Sequence, residues 1–422
     1  MLETNIKKLY DAGGLNKPLV IWGIGRETGT LIELLRKYPD LQILAIVDNF
    51  KNNFYNEYCG VKVFAPEAFV ECYAKDFCIL LNTKWGEAIM RQIEALVSRK
   101  ALLEGTVEVY NLLYENAQIT DFAQTTIPYQ FENRQQGKEN LCYVLAGYDS
   151  KLWDSTLARI EAFQSERYDY CIVSSGKYDE VLAEMAKRNG WSYLATGRNQ
   201  VAYIQNLVIE LHPKAKYILK MDEDIFVGKD FFGRMIDTYR ECEAEGESRI
   251  GFLVPIIPLN VAGVVSYLKA IGRKQEFEKR FGRVYRSRFS QVFDFEETAV
   301  WLWDTMDCFD EMAEQIGNRS GVEVCDCYYN IGCILYSRSR WSLMGKWPVL
   351  SEEGGMGADE EYIYRDNKDK DLVIYEAQGI LAGHLAFGMQ KKRMMEYYFE
   401  HKDKFLPRRT LEWKGDCIST LE

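Results

Sequence analysis

Two separate stretches of this chain carry the same rhythm: a short apolar run, a glycine-marked turn, a segment of helical period, then another apolar run. The first is "KPLVIWGIGRETGTLIELLRKYPDLQILAIVDN". Leu19 to Trp22 are apolar without interruption, and Gly23, Gly25 and Gly29 punctuate the turn after them. Thr30 to Leu35 place apolar residues at helical spacing, and "QILAIVDN" returns as a second run ending at Asp48. Short apolar runs bounded by turn residues predict buried strands, and the helical period predicts a helix between them. Together they make a βαβ unit of about 30 residues. A third run, Phe77 to Leu81, precedes the helix-patterned "EAIMRQIEALVSRK".

The rhythm restarts at "NLCYVLAGYDS", with a strand predicted from Leu141 to Ala146. Further strands are predicted over "YDYCIVSSG", "WSYLATG" and "AKYILKMDED". Helices are predicted over "KLWDSTLARIEAF", "KYDEVLAEMAKRNG" and "NQVAYIQNLVIELHP". Residues 116–139, rich in Gln, Asn and Thr, lose the period and read as a linker. The expected fold class is α/β, with two Rossmann-like domains at 1–115 and 140–422.

In open α/β sheets, ligands bind at the carboxyl ends of the strands. The last predicted strand runs straight into Asp222, Glu223 and Asp224. Three carboxylates this close repel one another, and burying them costs on the order of several kcal/mol. They are either a solvated turn or a place for positive charge. Asp222 and Asp224 are two apart and lie on one face of a strand. Oxygen ligands suit Mg²⁺ or Mn²⁺, which keep the remaining coordination for substrate phosphates. In the first stretch, Gly23, Gly25 and Gly29 would let a phosphate approach a helix N-terminus, with Asp48 accepting from a ribose. The spacing there is GxGxxxG, not GxGxxG, and the competing reading is a fold of this type that binds nothing.

The composition is 47% hydrophobic and 27% charged over 422 residues, enough for a sizeable core. A net charge of −11 argues against a nucleic-acid binder, which needs a basic face, though a local basic patch stays open. The eleven cysteines are scattered, and the start, "MLETNIKKLYDAGG", is polar. No run reaches the ~18–20 apolar residues of a spanning helix. The expectation is a cytoplasmic protein with free thiols. Cys325, Cys327 and Cys333 lack CxxC spacing and a fourth ligand, which argues against zinc.

The first hundred residues resemble the N-terminal domain of bacterial sugar-modifying enzymes, including sugar O-acyltransferases. The shared pattern is "GxGxxG…VDD…G.PV", with "CGVKVFAPEAF" in the last place. From about Asn140 to Phe405 the chain resembles a GT-A glycosyltransferase, whose DxD motif matches Asp222–Asp224. That resemblance implies a nucleotide-sugar donor, a UDP-sugar first among the candidates, and Mn²⁺ or Mg²⁺ as cofactor. It places Asp222 on the ribose and metal side and Asp224 on the metal. "GGMGADEEYIYR" is similar to the family's "GWGxED" segment, which supplies the base. Aligning the glycines makes Asp359 the acceptor-binding acid and Glu360 the base, and a slip of one residue makes Asp359 the base. "AGHLAFG" puts His384 where the family often completes the metal shell. The donor contacts implied are Ala146, Gly147, Tyr148, Ser174, Ser175, Arg198, Asn199 and Gln200. His212 and His401 read as surface residues.

The resemblance also implies the acceptor class, a glycan or lipid-linked glycan of bacterial surface polysaccharide synthesis, and favours inversion. The span from about Val254 to Asp310 departs from the family. Within it "GVVSYLKAIGRKQEFEKRFGRVYRSRF" is basic and helical in pattern, and it reads as a solvated helical pair, with acceptor recognition or contact with an anionic membrane as the alternatives. The basic tail "MQKKRMMEYYFEHKDKFLPRR" would allow peripheral docking at the inner face of a membrane. Rival classes are a nucleotide-sugar sensor or scaffold, a nucleotidyltransferase, and a dehydrogenase resting on the N-terminal glycines alone.

Overall fold

Alternate residues of the first apolar run go to opposite faces of a sheet. In the computed structural model, Leu19 and Ile21 of strand β1 (Leu19–Trp22) pack with Leu31, Ile32 and Leu35, while Val20 and Trp22 pack with Phe69, Phe77 and Ile93. A strand covered on both faces needs no polar positions, which is why the run is continuous. The structure describes residues 2–408 except 12, 26, 50–51, 53–54, 73–76, 82–88, 90–91, 94–95, 97–107, 113–118, 248, 261, 285, 287–291, 293–294, 326–328, 351–357 and 388–389. The helix predicted over "EAIMRQIEALVSRK" therefore lies mostly outside the described residues.

The chain divides into two compact units, Met1–Gln118 and Ile119–Glu422. The N-terminal unit adds β2 (Ile43–Val47), β3 (Glu57–Tyr58), β4 (Val61–Phe64), β5 (Cys78–Leu81) and β6 (Glu108–Asn111). Their order is β3-β4-β2-β1-β5-β6, parallel throughout except for the β3–β4 pair.

The C-terminal unit begins with β7 (Ile119–Thr120) and β8 (Tyr129–Glu132). Four parallel strands come next: β9 (Asn140–Leu145), β10 (Tyr168–Ser174), β11 (Ser192–Thr196) and β12 (Tyr217–Asp222). Then come β13 (Ile225–Val227), β14 (Ile250–Ile256), β15 (Val322–Cys325), β16 (Cys333–Ser337), β17 (Val349–Leu350) and β18 (Val373–His384). The large sheet runs β13-β18-β14-β16-β12-β9-β10-β11-β8, with β15 beside β18. The β7–β17 pair stands apart from it. Both units are thus mixed α/β, each built around a run of parallel strands.

Three expectations differ from the structure. Residues 116–139, expected as a linker, contain β8, which pairs with β11 at the sheet edge. The span expected as a solvated helical pair is instead a second core. Helices Gly263–Ala270, Lys274–Phe281, Glu296–Asp304 and Phe309–Gly317 bury Tyr267, Phe277, Trp301, Trp303 and Phe309 against Tyr397, Tyr398 and Phe405. The tail helix Lys391–Glu400 thereby puts most of its apolar side chains into the core, leaving Phe399 exposed. His212, expected at the surface, is 1% exposed, with its ring on Phe131 and Nδ1 2.7 Å from the Val208 carbonyl. His401 is exposed as expected.

One buried cation ties the second core to the sheet. Arg159, in helix Thr156–Phe163, is fully buried. It donates to the carbonyls of Val227, Phe405 and Leu406 at 3.0, 2.6 and 2.9 Å and pairs with Asp310. A buried charge is tolerable only when paired and hydrogen-bonded in this way. Among the described residues, no helix is long and apolar enough to cross a membrane, and the cysteines are free.

Candidate functional site

Because β9, β10, β11 and β12 are parallel, their carboxyl ends share one edge of the sheet. That edge gathers Ala146–Tyr148, Ser174–Ser175, Arg198–Gln200 and the three acids, as the sequence predicts. The acids divide. Glu223 turns inward and is 8% exposed. Its carboxylate accepts from the N–H groups of Gly147, Tyr148 and Asp149 at 2.9, 2.9 and 3.0 Å and from the Trp153 indole at 2.6 Å. Burial nevertheless keeps it above the ordinary carboxylate range, against the pull of those donors. The middle acid therefore holds the loop after β9 onto the tip of β12.

Asp222 and Asp224 stay at the edge, with side chains 40% and 28% exposed. Asp222 Oδ1 receives Lys220 Nζ at 2.7 Å, and the same ammonium donates to the Ile331 carbonyl at 2.8 Å. The Asp222 carboxyl is pushed up to about 6 by its enclosure, which outweighs Lys220 and is reinforced by the charge of Asp224. Asp224 Oδ2 lies 3.0 Å from His384 Nε2, because β13 pairs with β18 and sets Ile225 opposite His384. Burial pushes Asp224 up, but the facing His384 draws it below the usual carboxylate range. Lys391, at the start of its helix, pairs with Asp149 at 2.9 Å and adds to that downward pull.

Asp359 and Glu360 open the described part of helix Ala358–Asp369, and Gly354 to Gly357 of the same motif lie outside the described residues. Asp359 is 8% exposed; its Oδ2 accepts from Gln205 Nε2 at 2.8 Å and its Oδ1 from the Glu360 N–H at 2.9 Å. Gln205 continues a buried chain through Tyr143 (2.8 Å) and Tyr336 (3.1 Å) to the Trp347 indole (3.3 Å). Glu360 is half-buried. Burial would lower the Lys220 ammonium, but Asp222, Asp359 and Glu360 together lift it above its ordinary value. Asp222 at the strand tip and the two helix acids thus act on one buried cation.

The remaining candidates separate by exposure. Ser174 is fully buried and its hydroxyl accepts from Tyr193 at 3.2 Å; Gln200 is 2% exposed and donates to the Leu350 carbonyl at 2.8 Å. These two shape the edge from beneath, contrary to their expected role as donor contacts. Ala146 is also buried, its N–H on Val173. Ser175 receives the Gln200 N–H at 2.8 Å. Arg198 and Asn199 are half-buried. Tyr148 is 62% exposed, its hydroxyl donates to the Ser175 carbonyl, and Lys177 Nζ stands 4.8 Å from its ring centre. Gly147 has φ +134°, and a Cβ there would stand 2.8 Å from Lys177 Cε. Only glycine fits that position comfortably.

In the N-terminal unit, Gly23 has φ +103° and Gly25 N–H donates to Thr28 Oγ1 at 2.8 Å. Asp48 Oδ2 accepts from the Ile24 N–H at 2.8 Å, so the acid expected to meet a ribose braces the glycine loop. Gly29 lies within helix Thr28–Leu35, facing Tyr58 and Cys59.

Asp222, Asp224 and His384 offer two carboxylates and an imidazole, donor types that suit Mn²⁺. Among the described residues, no three His, Cys, Asp or Glu side chains converge tightly enough to hold a metal as they stand. Sequence reasoning missed Glu223 and Lys220 as organisers. Strand alternation carried the signal for both, since Glu223 must leave the face of its flanking acids and Lys220 must share it. The family described as C2185-like, N-terminal, matches residues 15–116, which cover most of the N-terminal unit. No curated protein matches the chain.

Proposed function

We propose that this protein is a metal-dependent glycosyltransferase of the GT-A type, joined to a Rossmann-like N-terminal domain. It moves a sugar from a nucleoside diphosphate to a glycan or lipid-linked acceptor. The observation that carries the reading is the division of the acids: Glu223 is consumed in bracing the loop after β9, which leaves Asp222 and Asp224 at the strand edge with His384 on Asp224. Asp222 and Asp224, with His384, would hold Mn²⁺ or Mg²⁺, which supplies charge to stabilise the departing diphosphate. Lys220 holds Oδ1 of Asp222, so Oδ2 is the oxygen that would meet the metal.

On the acceptor side, Asp359 is engaged by Gln205 and by the Glu360 N–H, which makes Glu360 the better-placed base. In the reaction proposed, an acceptor hydroxyl oxygen bonds to the anomeric carbon as the carbon–diphosphate bond breaks. The hydroxyl proton passes to Glu360, and the configuration inverts. The loop Gly147–Asp149 and the half-buried Arg198 and Asn199 line the donor side, and bacterial surface glycans are the acceptor class that the resemblance suggests.

The test is donor turnover with UDP-, GDP- and dTDP-sugars in Mn²⁺ or Mg²⁺, read as released nucleoside diphosphate. One donor is expected to be hydrolysed slowly, with loss in EDTA and in Asp224→Asn, and with loss of transfer in Glu360→Gln. Silence across the panel, together with no metal-dependent nucleotide binding by calorimetry, would overturn the reading.

A further inference from the structure

Beside the tip of β12 the chain turns into β16 through Asn330, Ile331 and Gly332. Antiparallel pairing sets Met221 opposite Cys333, so the residues just before β16 lie level with those just after β12. The turn is held from several sides. Asp222 N–H donates to the Gly332 carbonyl at 2.8 Å, and Lys220 Nζ to the Ile331 carbonyl at 2.8 Å. Gly332 N–H donates to Asn330 Oδ1 at 2.9 Å, and Asn260 Nδ2 reaches the Asn330 carbonyl at 3.4 Å. The neighbouring Tyr329 hydroxyl is fastened to the Pro255 carbonyl at 2.6 Å.

Fixing the turn uses the acceptor end of the Asn330 side chain and leaves its donor end. Asn330 is half-buried, and among the described residues its Nδ2 has no hydrogen-bond partner. The space next to it is kept clear by Gly332. A Cβ built there would stand 3.1 Å from Asn330 Oδ1 and 3.3 Å from Asp222 Oδ2. Gly332 is not among the residues at positive φ, so the backbone does not require glycine at this point. What the missing side chain preserves is room between an amide and Oδ2 of Asp222. Behind the turn, Asn260 is 1% exposed, and among the described residues its buried Oδ1 has no partner.

We propose that Asn330 is a sugar-selecting residue, donating from Nδ2 to a hydroxyl of the sugar carried by the nucleoside diphosphate, with Gly332 keeping the space that sugar occupies. This rests on the transferase reading, because it is the diphosphate at Asp222 that would bring its sugar to this turn. A neutral amide donor matches the chemistry of a hydroxyl oxygen, and a single such bond, left unmade, weakens binding by roughly fivefold to tenfold. The contact belongs to the sugar alone and not to the nucleotide or the metal.

The experiment compares two affinities in each protein. Calorimetry in Mn²⁺ measures UDP, GDP and dTDP against the corresponding diphosphate hexoses, for the full chain and for Asn330→Asp, Asn330→Ala and Gly332→Ala. Asn330→Asp keeps an acceptor for the Gly332 N–H while removing the donor, so the turn survives in at least one variant. Any change in metal affinity acts on both ligands and drops out of their ratio. The expected result is a preference for the sugar-bearing ligand that falls about fivefold or more in all three variants, with the bare diphosphate bound as before or shifted only in common. An unchanged ratio in Asn330→Asp would overturn the proposal while leaving the transferase reading intact. Failure of the wild-type chain to bind any bare diphosphate or diphosphate hexose in Mn²⁺ would overturn both.

Discussion

Each unit ends a parallel strand in an acid that reaches sideways to its neighbour's loop, but among the described residues only the C-terminal unit flanks that acid with two more. In the N-terminal unit Asp48, just past β2, accepts the Ile24 N–H from the loop after β1. In the C-terminal unit Glu223, just past β12, does the same for the loop after β9 with three backbone N–H groups and an indole. The two devices are physically alike: a carboxylate neutralises the exposed N–H groups of a tight turn. The difference lies in the flanks. Asp222 and Asp224 remain beside Glu223, facing Lys220 and His384. In the proposed reaction the acid at the centre of the cluster takes no part, and its bracing role leaves the outer two at the strand edge.

Substitution separates these roles. Asp224→Asn is expected to lower metal-dependent turnover by about 100-fold or more. Its urea midpoint should move by the equivalent of less than about 1 kcal/mol. An unfolded Asp224→Asn protein would merge the two classes of acid and break the comparison. Glu223→Ala has the reverse profile in stability. It strands three N–H groups and the Trp153 indole, and a loss of about 3 kcal/mol is expected in urea unfolding; Glu223→Gln should retain part of it. Asp48→Ala is the smallest change, about 1 kcal/mol. Faster hydrogen exchange at the Ile24 amide would report it, and unchanged exchange there would show that the two braces are not equivalent.

The parallel strands were legible in the sequence because burial on both faces leaves them continuously apolar. β8 was not, because an edge strand with a polar face, "YQFE", carries little such demand. The second core was hidden for a related reason. Lys269, Lys279 and Arg280 on its first two helices face solvent and suggested a solvated surface, while the burial of Trp301, Trp303 and Phe309 on the next two depends on residues near 400. His212 was misplaced because what covers it, Phe131 among other groups, is distant in sequence. Within the site, the spacing of Asp222 and Asp224 was readable, and so was the late histidine that meets Asp224. Ser174 and Gln200 were not distinguishable from true edge residues, since their burial is decided by Tyr193 and Leu350. As sequence, Tyr328–Trp341 reads as a strand walling the acceptor pocket; that Asn330 stands near Asp222 was not legible, because only the pairing of β16 with β12 sets Gly332 level with that acid.

The Arg159 knot has a consequence for the order of events on the ribosome. Its partners at Phe405 and Leu406 lie 246 and 247 residues further along the chain. At about 5–20 residues per second, they emerge on the order of ten to fifty seconds after Arg159 itself. Throughout that interval the guanidinium can stay only where water reaches it. The helix that carries Arg159 therefore cannot settle into its final seat until residue 406 has been made. The N-terminal unit ends at residue 118, so its internal contacts face no such delay. Vectorial synthesis thus sets a sequence of completion in which the nascent C-terminal unit is the part exposed to chaperones and proteases, and its second core closes last.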